Sequence, residues 1–248
     1  QEDILEIVRC CTECVERYFK DFDISKISSD NFFVYTKESV PPPDNTNEGL
    51  CYPQYHMFGV REDALYKPKV YIHEMIHFVA KELQPGSENT GYQFLGKKDD
   101  DTQPQLYSFY NAINEGVTDL MTEELYSISY TKLKDLFRGR GGIEHFVSSY
   151  SDYIIFIQKL IEYHAIILKN KTGIPEEEAH AQIWTKLKRN YLANDTEYFE
   201  QLCGIFGNSA NEHKETVSFI QQIQTSTHPN AVGSLIFTLK EKIAKIRK

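Results

Sequence analysis

The chain is poor in several things. It has a single Trp and three Met among 248 residues, and no apolar run of transmembrane length. It lacks positive charge: 27 Lys and Arg stand against 36 Asp and Glu, for a net charge of −9. Such a chain is repelled by phosphate backbones and anionic lipid, which argues against nucleic-acid and membrane-surface partners. The basic stretch 239–248 reads as the end of a C-terminal helix, where cations suit the helix dipole. Cysteines are few and odd in number: Cys10, Cys11, Cys14, Cys51 and Cys203. Their irregular spacing excludes a disulfide framework, and Cys10 and Cys14 have no second ligand pair at zinc-finger distance, so all five read as free thiols. Reduced thiols suit the cytosol. The cysteines thus favour the cytosol weakly, while a chain opening on Gln1 rather than Met leaves room for a removed leader and export. No Ser-His-Asp or Cys-His signature occurs, and the one glycine cluster, 139–142, lacks the Lys-Ser/Thr of a phosphate loop.

What the chain does have is an ordinary globular mixture rich in rings, with 16 Tyr and 15 Phe. Apolar spacing predicts a first helix over 2–20. The segments 31–37 and 54–60 read as strands, with a Pro- and Asn-rich loop over 41–49 between them. Pro68 opens a helix that runs to about residue 84, and Pro85-Gly86 ends it. A long polar segment over 85–105, with room for a hairpin or edge strand, precedes a second long helix from about Leu106. From Ile143 onward everything reads as helix: 143–169, 175–192, 197–205, 212–223 and 235–246. The expected class is α+β, a small N-terminal mixed sheet with an active-site helix, then a mostly helical C-terminal part. The seam is placed at the glycine-rich 138–142. It separates 1–138, which carries the metal site, from 143–248, unless the two pack as one continuous catalytic domain.

The chemistry concentrates in two places. His73 and His77 are four apart on the predicted helix and project from one face, so both rings can reach one cation. Zinc (Zn2+) favours neutral imidazole and tetrahedral geometry. Glu74 is rotated about 100° from His73, off the ligand face yet beside it, where a base can take a proton from activated water. The second helix carries Asn114-Glu115-Gly116-Val117-Thr118-Asp119. Glu115 and Asp119 share a face on an otherwise apolar helix. Glu115 as third ligand completes a His₂Glu set, and Asp119 can fix a ligand histidine's tautomer. Gly116 costs about 1 kcal/mol in mid-helix, which implies close approach of another helix or of substrate. The competing reading is a solvated acidic face continued by Glu123 and Glu124.

The pair of motifs, His73-Glu74-x-x-His77 and Asn114-Glu115-Gly116-x-x-Asp119, resembles the gluzincin zinc metallopeptidases, whose thermolysin-like members carry an Asn-Glu-x-x-x-Asp helix. The resemblance covers about residues 54–126. It implies a zincin-like fold whose sheet receives a peptide or protein substrate at an edge strand, with 55–60 as the candidate. It implies peptide-bond hydrolysis with Glu74 as general base, and a further Tyr or His holding the oxyanion; Tyr92, Tyr153, Tyr163 and His164 are the candidates. The gap between the motifs exceeds that of the thermolysin-like members. Two alternatives stand beside this reading. A zinc aminopeptidase would need an amine anchor upstream of His73, where only Glu62 and Asp63 occur. An inactive zincin-like interaction domain would have no need of Glu74.

Overall fold

The structure, a computed structural model, describes residues 2–41, 44–52, 55–80, 91, 94–97, 106–109, 111–137, 151–206 and 230–247. The chain divides into two compact units, Gln1–Thr90 with Thr118–Ser148, and Gly91–Val117 with Ser149–Lys248. The glycine-rich seam at 138–142 and the helix expected over 212–223 lie outside the described residues.

In the first unit, helix α1 (Glu2–Tyr18) buries Ile7, Val8, Cys11 and Val15 at helical period, with acids in its first turn and Arg17 in its last. Three short strands follow: β1 (Phe32–Tyr35), β2 (Gly49–Tyr52) and β3 (Met57–Arg61). Their order is β1-β3-β2, with β1 parallel and β2 antiparallel to β3. β3 is therefore the central strand, and the expectation that 55–60 forms a substrate-receiving edge is wrong. Phe58, Gly59, Val60 and Arg61 are all buried, as a strand covered on both faces requires. The expectation failed because the unforeseen β2 gives β3 a second neighbour. At the end of β3 the Arg61 guanidinium is buried against the carbonyls of Thr46 and Asn47, at 3.0 and 2.8 Å, and bonded to Asp63. β2 was missed because its first residue closes the loop-like stretch 41–49 and only four residues pair.

Helix α2 (Pro68–Val79) starts with Pro68 in its first turn, where a missing N–H costs nothing. It packs on α1 and on β2 and β3, and most of its residues are buried. Tyr71 stacks on Phe32 at 5.6 Å, and Phe78 meets Phe58 edge-on at 5.5 Å. These rings fix the helix on the sheet, so Glu74 faces inward.

Helix α3 (Asn111–Phe137) begins five residues later than expected. Leu106–Phe109 is strand β5, paired antiparallel with β4 (Phe94–Lys97). The apolar residues of 106–109 suit either period, and a tertiary partner in the preceding segment decided for strand.

The second unit is led by α4 (Ser151–Thr172), which packs on α5 (Glu176–Leu192) and α7 (Asn230–Ile246), with α6 (Glu197–Cys203) beside α4 and α5. Its core includes Phe156, Ile157, Leu160, Ile161 and Ala165 of α4. Gly173 ends α4 at φ +78°, its N–H bonded to the Lys169 carbonyl at 2.7 Å. The architecture is mixed α+β and mostly helical with a small mixed sheet. No helix among the described residues is long and apolar enough to cross a membrane.

Candidate metal centre

Helices α2 and α3 meet through side chains spaced one turn apart on each. Lys69 Nζ lies 2.5 Å from Glu123 Oε1, and His73 Nδ1 lies 2.8 Å from Asp119 Oδ1. One turn further along α2 comes His77, and one turn back along α3 comes Glu115. The donor atoms of His73, His77 and Glu115 all lie within 4.8 Å of one another. The ladder thus runs from an ordinary ion pair, through a histidine–carboxylate pair, to a cluster of metal-ligand type.

Geometry inside the cluster discriminates its chemistry. Asp119 is only 1% exposed, and a buried carboxylate needs a donor. His73 Nδ1 stands 2.8 Å from its Oδ1, within ion-pair reach but without hydrogen-bond alignment, and the other ring nitrogen, Nε2, is the one near His77. That atom lies 3.0 Å from His77 Nε2. Two imidazole nitrogens bound to one tetrahedral zinc at 2.0–2.1 Å stand about 3.3 Å apart. Convergent lone pairs at this distance repel unless a proton or a cation lies between them. A half-buried Glu115 within reach adds negative charge to the same point, which favours a dication. The residues present fit zinc.

Glu74 is 8% exposed and lies outside the ligand cluster, against β2. A Cβ added to Gly49 would fall 2.5 Å from both Glu74 Cγ and Oε1, so only glycine lets the carboxylate seat there. That wall is itself held. Arg61 bonds the carbonyls of the turn before β2, and Tyr35 donates its hydroxyl to the Asn47 carbonyl at 2.8 Å. Burial first, and then the charge of Glu74, push the Tyr35 phenol above its usual range. Gly49, Tyr35 and Arg61 were not singled out from sequence. The one available signal was a cation, Arg61, ending the apolar run Phe58-Gly59-Val60.

The acidic face of α3 is partnered by other side chains. Thr118 and Thr122 are fully buried, Glu123 pairs with Lys69, and Glu124 accepts a bond from the Tyr18 hydroxyl. Asn114 is fully buried, and a Cβ on Gly91, at φ +55°, would lie 2.4 Å from its Oδ1. Gly116 answers the helix-approach expectation: a Cβ there would lie 2.9 Å from the Cβ of Tyr153 on α4. Of the oxyanion candidates, Tyr92 lies outside the described residues. His164 Nε2 bonds the Leu202 carbonyl at 2.8 Å, and burial holds its pKa down, which marks a structural histidine of α4. Tyr163 sits edge-on to that ring. Tyr153, beside Gly116, has its phenol raised by burial and by Asp152.

Compared with known proteins, the chain matches no family model, no curated protein and no solved structure.

Proposed function

We propose that the chain is a zinc-dependent peptidase of zincin-like build, hydrolysing peptide bonds in a peptide or protein substrate. The observation that carries the reading is the convergence of a ring nitrogen from each of His73 and His77 with a Glu115 oxygen, on the helix whose Glu74 is seated against Gly49. His73, His77 and Glu115 would hold the ion, and Asp119 would orient His73. When bound, zinc supplies Lewis acidity toward a carbonyl and lowers the pKa of water.

The side chains do the rest. Glu74 accepts a proton from the attacking water at its carboxylate and returns it to the departing amine nitrogen. Its seat against Gly49 limits its rotamers, so the carboxylate waits in one position and little ordering is needed during the reaction. Arg61 and Tyr35 hold the chain segment behind that seat. Asp119 Oδ1, 2.8 Å from His73 Nδ1, would favour a proton on that nitrogen.

The test compares zinc content and cleavage of an unfolded protein such as casein for the parent chain and for Glu74→Gln. The reading expects equal zinc in both and cleavage only in the parent. No cleavage by a zinc-loaded parent would leave an interaction domain. Release of N-terminal residues alone would make it an aminopeptidase.

A further inference from the structure

The turn of α3 that carries Glu115 is gripped from two sides. Asn114, just before it, is fully buried, and so is Tyr191 of α5. The backbone of Gly91 is packed against both: a Cβ there would collide with the Tyr191 ring and with Asn114 Oδ1. Gly91 is itself buried and stands at φ +55°, a conformation that strains any residue with a side chain. Just after Glu115, Gly116 lies against α4. A Cβ there would fall 2.9 Å from Tyr153 Cβ, 3.2 Å from Ile157 Cδ1 and 3.4 Å from the Tyr153 carbonyl carbon.

Helix geometry gives these two contacts a common effect. Successive residues are about 100° apart around the axis, so Asn114 and Gly116 leave α3 on nearly opposite sides with Glu115 between them. Contacts so placed stop the helix from rolling about its axis. A roll moves the Glu115 carboxylate more than the backbone. With side-chain ends about 5–6 Å from the axis, a roll of about 20° would shift it by about 2 Å. That is as long as a zinc–oxygen bond, about 2.0–2.2 Å. Neither grip is soft. The Tyr191 ring is fully buried and cannot swing aside, and the nearest atom to Gly116 is a Cβ fixed to the backbone of α4. Gly173, at φ +78°, and Gly233 of α7 are the contrast: among the described residues, a Cβ at either would meet nothing within 4 Å.

We propose that Gly91 and Gly116 are positioning residues for the third metal ligand. They let Asn114, Tyr191 and α4 close on α3, and so hold Glu115 at the angle that a tetrahedral ion needs. The inference rests on the zinc reading above. It differs from plain tight packing in one consequence. A packing contact changes stability whatever Glu115 is, whereas a positioning contact changes metal binding only while Glu115 is present.

The experiment measures zinc affinity of the full chain by competition with a chromophoric chelator, visible absorption of the cobalt-loaded protein, and denaturant unfolding without metal. Gly91→Ala and Gly116→Ala should each weaken zinc by about tenfold or more, the scale seen when support for a ligand is lost, and should alter the cobalt spectrum. Gly173→Ala brings left-handed strain without a collision. It should lower the unfolding midpoint and leave zinc affinity unchanged. Gly233→Ala should raise the midpoint, again with zinc affinity unchanged. In a Glu115→Ala background the third ligand is already gone, so adding Gly91→Ala or Gly116→Ala should weaken zinc no further. Gly116→Ala decides the matter if Gly91→Ala does not fold. Equal losses with and without Glu115, or parental zinc affinity in a folded Gly116→Ala, would overturn the positioning role and leave the zinc reading standing. A parent chain that binds no zinc would overturn both. None of these readouts depends on peptidase activity.

Discussion

Asp119 Oδ1 lies 2.8 Å from His73 Nδ1, in the middle rung of a ladder between α2 and α3. Below it Lys69 meets Glu123; above it His77 and Glu115 converge with His73. On each helix the successive rungs are one turn apart. The candidate metal cluster continues the spacing that the Lys69–Glu123 pair and the buried Asp119 already mark.

Asp119→Asn keeps the volume and removes the charge that fixes His73. Zinc affinity should fall by about 10- to 100-fold, measured by competition with a chromophoric chelator. An unchanged affinity would mean that His73 needs no such partner.

Glu74→Gln should leave zinc stoichiometry intact and lower kcat by at least about 10²-fold, the usual scale for a lost general base. Zinc content by elemental analysis and turnover on a fluorogenic peptide separate the two effects.

Gly49→Ala tests the seat of Glu74 without touching a charged group. The new methyl would meet the Glu74 carboxylate's own methylene at 2.5 Å, so one of the two must move. Overpacking of this kind costs about 1–3 kcal/mol, read from denaturant unfolding. The account expects kcat to fall more than zinc affinity, because the new methyl would meet Glu74.

His164 gives a pH dependence with a definite sign. Burial lowers its folded-state pKa, so the unfolded chain binds its proton more readily. Its contribution to stability is whole above the unfolded value of about 6.5 and declines as pH falls through and below it. Replacing His164 by Gln should flatten that part of the stability–pH curve, measured by chemical denaturation between about pH 5 and 8.

The spacing behind the candidate cluster could be read from sequence because helix periodicity carries it. His73 and His77, and Glu115 and Asp119, are each four apart, and a helix converts that spacing into a shared face. The start of α2 was equally plain from Pro68. What could not be read depends on contacts distant in the chain. Gly49 matters only because Glu74, 25 positions away by their numbers, lies against it. Arg61 looks like a solvent-facing strand end, and only the turn carbonyls from Asn45 to Asn47 make it a buried clamp. β3 became central because the short β2 pairs on one side of it and β1 on the other. Leu106–Phe109 became a strand because β4 offers a partner. Local pattern does not encode such choices.

X-ray absorption at the zinc edge, on the protein loaded with one equivalent of zinc, bears most directly on the central claim. The account predicts a first shell of nitrogen and oxygen with an imidazole signature of two rings, reduced by one oxygen neighbour or lost altogether in Glu115→Ala. A shell containing sulfur, or a spectrum that does not change in Glu115→Ala and in His77→Ala, would contradict it.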